Sequence, residues 1–372
     1  MAKKEPEKGQ QQTTSYNPNI LVGMTGMKSS TNEYGEKYFY PSAQDTNVQD
    51  MKLFQTTVYE NGEVKTGIDF IVSLEHTKLI SYIIGLFIEQ HGYKNLQKLD
   101  PNNLTLEATK IEFNVMEYLR YCYNEKAPEI SVTRKDSNGN IITVKEKRPN
   151  PDEFTDEQYN NQLKKLKNRL DTIASYHLIF KAKSSKPTAK KKGLTKVDIV
   201  FLQGGKEYHR DSRSITLHID QTFFKYLIEF ASLNWISKSY LKIISDNEFI
   251  LFFIISWHYE INIHKTKEDQ RKSANKLAIK SLLRGLIIQH YEEIKTEHSW
   301  RERIEEPLYK ALEGLNRIGF IKGYQQTEDS LEQYGEYTKI KKYEDWIETM
   351  FEFDLDIPSF ESDFQLRKEE ED

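Results

Sequence analysis

The stretch from Asp156 to Phe201, DEQYNNQLKKLKNRLDTIASYHLIFKAKSSKPTAKKKGLTKVDIVF, constrains the fold more than any other part of the chain. It opens with helical periodicity: Leu163, Leu166, Leu170 and Ile173 recur at three- and four-residue spacing and form one apolar face. Thr155 and Gln158 have the spacing of a capping box, and Asp156 and Glu157 suit the positive end of the helix dipole. The pattern then changes. Leu178-Ile179-Phe180 and Val197 to Phe201 are β-rich runs that can pair as strands. Between them lie Lys181, Lys183, Lys186, Lys190, Lys191, Lys192 and Lys196, with Pro187 and Gly193 for the turn. Few folds place a basic amphipathic helix directly before a lysine-tipped hairpin. On an isolated helix, Lys164, Lys165, Lys167, Asn168, Arg169 and Thr172 would read as a solvated face. With the hairpin behind them they favour an anionic partner.

Charge distribution supports that reading where the total does not. The 372 residues carry a formal charge of −4. From Asn161 to Arg213, however, 14 Lys/Arg stand against 4 Asp/Glu, and from Gln325 to Asp372 only 5 stand against 16. A basic centre and an acidic tail are hidden in a near-neutral sum. The single cysteine, Cys122, excludes an internal disulfide and a cysteine-based zinc site. The N-terminal MAKKEPEKGQQQ has no apolar segment after its lysines, and the longest apolar run, Phe249 to Trp257, is about half of a membrane span. A cytoplasmic protein with no membrane association is expected.

Residues 1–17 offer almost nothing to bury and read as disordered. Asn61-Gly62 predicts a hairpin, and Ser73 to Gly92 predicts a helix with a broad apolar face and a glycine stop. Leu104 to Tyr123 reads as a helix, with Ile111, Val115, Met116, Leu119 and Cys122 at helical spacing. A basic hairpin turning at Asn138-Gly139 follows. After Phe201, Ser214 to Asp220 alternates and is expected to complete the sheet of the lysine hairpin. The plan then recurs: a short helix near Phe223 to Phe230, an apolar helix from Asp246 through Tyr259, and a helical stretch with Leu277, Ile279, Leu282, Leu283 and Leu286. A long helix from Ser299 to Gly319 follows, with a strand from Phe320. The partner of that strand is either Tyr337 to Ile340 or Trp346 to Phe353.

Helix, helix, helix, strand, loop, strand thus occurs twice. The first unit ends its third helix with Leu166-Lys167-Asn168-Arg169-Leu170 and Ile173. The second ends it with Ala311-Leu312-Glu313-Gly314-Leu315-Asn316-Arg317-Ile318-Gly319-Phe320-Ile321. Over roughly residues 100 to 355 this resembles the plasmid replication initiator proteins with paired winged-helix domains. The fold expected is α+β and helix-rich, with two tandem winged-helix domains and an extra N-terminal region. The divisions are 1–17 disordered, 18–100 of unknown role, 101–219 first winged helix, 220–356 second winged helix and 357–372 acidic tail. The resemblance implies binding to repeated origin sequences in double-stranded DNA and initiation of replication without an ATPase in the chain. It also implies host replication proteins and a second copy of the chain as partners.

The major groove admits one helix, whose N-terminal half meets base edges. On the first third helix the candidates are Lys164, Lys165, Asn168, Arg169 and Thr172. On the second they are Trp300, Arg301, Arg303, Lys310 and Arg317. Arg301 and Arg303 could meet guanine, or could pair with Glu302, Glu305 or Glu306 on their own helix. Asn168 could meet adenine. Lys186, Lys190, Lys191 and Lys192 would meet phosphates and supply salt-dependent grip, leaving discrimination to the second helix.

Catalytic readings fail. Gly204-Gly205-Lys206 lacks the spacing of a phosphate loop, His258 and His264 have no third ligand in register, and no two histidines are separated by one residue. No Gly-x-Ser-x-Gly occurs. No catalysis, metal or cofactor is expected. The other readings of the chain are a winged-helix transcriptional regulator and a protein-interaction module with a basic docking hairpin.

Overall fold

In the computed structural model the chain is an α+β protein in which helices alternate with small antiparallel sheets. It describes residues 13–16, 28–31, 37–40, 48–55, 58–60, 63–65, 74–96, 98–100, 103–126, 130–135, 141–146, 149–182, 195–203, 207–208, 213–229, 234–263, 273–283 and 300–356. The expected acidic tail and Lys186 to Lys192 lie outside them. Among the described residues, no helix is long and apolar enough to cross a membrane.

The N-terminal region supplies six strands: β1 (Thr13–Tyr16), β2 (Lys28–Thr31), β3 (Lys37–Tyr40), β4 (Val48–Gln55), β5 (Val58–Glu60) and β6 (Glu63–Lys65). The expected hairpin across Asn61-Gly62 is present as β5–β6. β1 falls within the segment expected to be disordered. Its Thr-Thr-Ser-Tyr sequence is β-favouring and pairs with the distant 234–237 segment.

Helix α1 (Leu74–His91) follows the expected pattern. Leu79, Ile80, Ile83, Ile84, Phe87 and Ile88 are buried, and Gly92 ends the helix at φ +74°, a conformation that glycine adopts without strain. The helix expected over 104–123 is instead a strand and a helix, β7 (Lys110–Asn114) and α2 (Val115–Cys122). Ile111 and Phe113 are fully buried while Glu112 and Asn114 face out, so the local period is two. Asn114 then caps α2, its side-chain oxygen accepting from the Glu117 amide at 3.0 Å.

The basic hairpin β8 (Ile130–Lys135) and β9 (Ile141–Glu146) comes next, followed by α3 (Asp156–Ala174). Both bonds of the predicted capping box are made: Thr155 Oγ1 accepts from the Gln158 amide at 3.3 Å, and Gln158 Oε1 accepts from the Thr155 amide at 2.9 Å. Strands β10 (Tyr176–Ala182) and β11 (Thr195–Val200) pair as expected, with Leu178 opposite Ile199 and Phe180 opposite Val197. The other neighbour of β10 is β4, which gives a sheet of order β11-β10-β4-β3-β2. The strand expected to complete that sheet, β13 (Ser214–His218), lies instead between β7 and β12 (Glu207–Tyr208). Its Ile215 and Leu217 stand opposite Phe113 and Ile111, so burying these four side chains together holds it there.

After α4 (Gln221–Glu229) and β14 (Asn234–Ser237), part of the element order of the first half returns. Helix α5 (Asp246–Ile263), β15 (Lys276–Ala278), α6 (Ile279–Leu283), α7 (Glu306–Arg317), β16 (Ile321–Gln326) and β17 (Met350–Leu355) follow the types of α1, β7, α2, α3, β10 and β11, except that a β-hairpin stands between α2 and α3 in the first set and two helices stand between β16 and β17 in the second. In this second set the strands form one sheet of order β15-β17-β16.

The single helix expected over 299–319 is divided. Arg301–Glu305 makes a wider turn with i→i+5 bonding, and α7 begins as Pro307 enters its first turn. Gly319, at φ +80°, is the expected stop. The partner of β16 is β17, which overlaps the second of the two expected segments and runs on to Leu355, while Trp346 belongs to a helix. The connection contains α8 (Glu328–Tyr334) and α9 (Tyr343–Glu348), while Tyr337–Lys339 is a single helical turn. One continuous apolar core runs from α1 to β17.

Candidate nucleic-acid interface

Helix α3 is fixed on one side by Leu166, Leu170 and Ile173, each at 2% exposure or less. Burying side chains of this kind is worth about 1.5–3 kcal/mol each. The fixed face leaves the opposite one to solvent. Asn161, Lys164, Lys165 and Asn168 are exposed there at i, i+3, i+4 and i+7 spacing. Among the described residues, no carboxylate is paired with Lys164 or Lys165. Thr172 flanks this stripe, and its hydroxyl donates to the Asn168 carbonyl at 2.8 Å. Arg169 also flanks it, with Nη1 donating to Glu75 Oε2 at 3.3 Å. The stripe therefore combines point charges suited to phosphate with an amide suited to a base edge.

Helix α7 does not match it. Trp300 is buried against Trp346 and Tyr343, with ring centroids at 4.8 and 5.6 Å, so its indole is part of the core. Arg301 stacks on Trp300 at 4.8 Å, donates to Glu305 Oε2 at 2.8 Å and donates to the Ile340 carbonyl. The pairing with a neighbouring glutamate that was open to Arg301 is made, with Glu305. Burial raises the pKa of Glu305, and the adjacent Arg301 charge opposes the rise.

Arg317 Nη2 donates to Glu248 Oε1 at 3.1 Å, and Glu248 is itself 4% exposed. Lys310 faces Glu306 at 3.4 Å on the surface, where such a pair contributes little. Arg303, on the turn before α7, is exposed, but so are Glu302 beside it and Glu306 and Glu313 on α7 with Lys310. The discrimination expected of this helix is thus not accompanied by a basic face.

The carboxylates that hold the two flanking arginines were not found by sequence reasoning. Glu75 lies 94 residues before Arg169, and Glu248 lies 69 before Arg317. The available signal was the recurrence of Asn168-Arg169-Leu170 as Asn316-Arg317-Ile318, with a glutamate in the first turn of the first helix of each half. Among the described residues, no group of three His, Cys, Asp or Glu side chains could hold a metal ion.

No known protein-family model matches the chain, and no curated protein is similar to it in sequence. Two crystal structures resemble it weakly. One, described as selenomethionine derivatives of domain 2 and domain 3 of RctB, has a TM-score of 0.35 at 10% identity, covering 91% of this chain and 98% of that one. The other, RctB domains 2-3, has a TM-score of 0.33 at 8% identity, covering 92% and 99%. Superposition at this level carries no argument about fold or function, which therefore rests on the geometry above.

Proposed function

We propose that this chain is a sequence-specific, non-enzymatic duplex-DNA-binding protein of the replication-initiator type, built on two winged-helix modules. The repeated element order supports the paired modules, and the β15-β17-β16 order supports a winged helix in the second. The observation that carries the DNA reading is the exposed Asn161-Lys164-Lys165-Asn168 stripe on α3, immediately ahead of the β10–β11 hairpin. In this reading α3 enters the major groove. Lys164 and Lys165 meet phosphates, Asn168 meets a base edge, and Lys186, Lys190, Lys191 and Lys192 grip the flanking backbone. Trp300, Arg301 and Arg317 support the second module, leaving Arg303 and Lys310 as the contacts α7 would offer.

Initiation at origin repeats, host replication proteins and a second copy as partners come from the sequence resemblance alone. The test is retention of duplexes from a random-sequence pool by the full chain, followed by gel shift of the enriched sequences. Enrichment of a shared site supports the reading, and failure to retain any duplex overturns it. Tandem copies of that site beside the encoding gene, spaced by about two helical turns, would favour initiation over transcriptional regulation.

A further inference from the structure

The two arginine–glutamate pairs are connected. Arg169 on α3 holds Oε2 of Glu75 at 3.3 Å, and Lys78 Nζ holds the other oxygen, Oε1, at 2.6 Å. Lys78 is almost wholly buried, with its side chain 3% exposed. An ammonium group has three protons, and here each has an acceptor: Glu75, the Ile243 carbonyl at 2.8 Å and the Leu241 carbonyl at 3.2 Å. Full satisfaction is what makes a buried lysine tolerable. The next amide, Ile244, donates to Glu248 Oε2 at 3.1 Å, and the other oxygen of Glu248 takes Arg317 of α7. An unbroken series of charged and hydrogen-bonded groups therefore joins the third helix of one half to the third helix of the other. Lys78 and Glu248 are buried within it, while Glu75 is about one-third exposed. Its two ends, Arg169 and Arg317, are about one-third exposed.

We propose that this series is a relay that couples α3 to α7, with Glu75, Lys78 and Glu248 as positioning residues. Each carboxylate divides its two oxygens between an arginine and the next member of the series. Drawing Arg169 away removes one of the cations that hold Glu75, and the balance of Lys78 between Glu75 and the Leu241 and Ile243 carbonyls shifts with it. Those carbonyls lie at the entry to α5, where the Ile244 amide and Glu248 are set. If α3 reads DNA as proposed above, a phosphate beside Lys165 is the anion that would draw Arg169 off, and α7 would register that α3 is occupied. The coupling itself does not depend on that reading.

The test is a double-mutant cycle in the full chain, read by urea unfolding. Arg169→Ala, Arg317→Ala and the double variant are compared in the wild-type and Lys78→Met backgrounds. With Lys78 present, the unfolding constant of the double variant should depart from the product of the single effects by about three-fold or more. With Lys78→Met the effects should multiply to within about two-fold, as for independent sites. Simple multiplication in the wild-type background, or a departure that persists unchanged in Lys78→Met, overturns the relay. Should Lys78→Met fail to fold, hydrogen exchange decides. The Ile244 amide should exchange at least about three-fold faster in Arg169→Ala, with a surface control, Lys310→Ala, unchanged. Equal exchange in Arg169→Ala and wild type overturns it. Neither readout uses DNA, so absence of duplex binding would remove the proposed function and leave the relay to be judged separately.

Discussion

At the scale of single residues, the structure is most demanding where charge is buried. A Cβ added at Gly314 would come within 2.3 Å of the Glu248 carboxyl group. Glycine in the middle of α7 therefore gives up about 1 kcal/mol of helix propensity and in return admits the Glu248–Arg317 pair between α5 and α7. Gly314→Ala should lower stability by about 1–3 kcal/mol despite the better propensity. Arg317→Ala, which strands a buried carboxylate, should cost about the same. Urea denaturation at neutral pH checks both. His76 gives a pH signature. It packs edge-on against Tyr176 at 5.8 Å, and burial, followed by the Arg169 charge, lowers its pKa from 6.5 to about 4. The unfolded chain takes up this proton near pH 6.5 and the folded chain only near 4. The stabilisation is thus complete above about 6.5 and lost as pH falls toward 4, by roughly 2–3 kcal/mol. Unfolding midpoints at pH 7 and pH 4.5 should differ less in His76→Gln than in wild type.

At the scale of elements, legibility followed the range of the forces involved. Helix α3 was readable because its cap and its apolar face are local: Thr155 and Gln158 are three residues apart, and the core leucines lie within one helix. Thr155→Ala should lower thermal stability by about 1 kcal/mol, measured by the shift in melting temperature. The segment at 110–122 was misread because Ile111, Val115, Leu119 and Cys122 satisfy a helical template, while the alternation of Ile111 and Phe113 is only two side chains long. The place of β13 was misjudged for another reason: pairing with β7 rather than β10 is settled by partners about a hundred residues away. Helix α7 shows the same limit at the site. Trp300 and Arg301 have the residue types of a DNA reader, but Trp300 is buried against Trp346 and the partly exposed Arg301 is engaged by Glu305 and the Ile340 carbonyl, and neither Trp346 nor Ile340 is marked in the local sequence.

At the scale of the whole molecule, the charges divide between two tasks. Lys78, held by Glu75 within α1, donates to the Leu241 and Ile243 carbonyls, and Glu89 of α1 pairs with Lys238; both contacts join α1 to the segment leading into α5, where Lys238 also lies over the Tyr121 ring at 4.9 Å. Lys164 and Lys165 on α3, in contrast, face solvent with no carboxylate partner among the described residues. That contrast is the basis for placing the DNA contact on α3. Salt dependence tests it most directly, because each phosphate neutralised contributes about 0.9 to the slope of log affinity against log salt. An enriched duplex would be titrated by fluorescence anisotropy across a range of salt with wild type, Lys164→Ala/Lys165→Ala and, as control, Lys225→Ala, an exposed lysine on α4 outside the proposed contact. The account predicts a slope smaller by about 1.8 in the α3 double variant and unchanged in Lys225→Ala. An unchanged slope in the α3 variant, with duplex still bound, would contradict it.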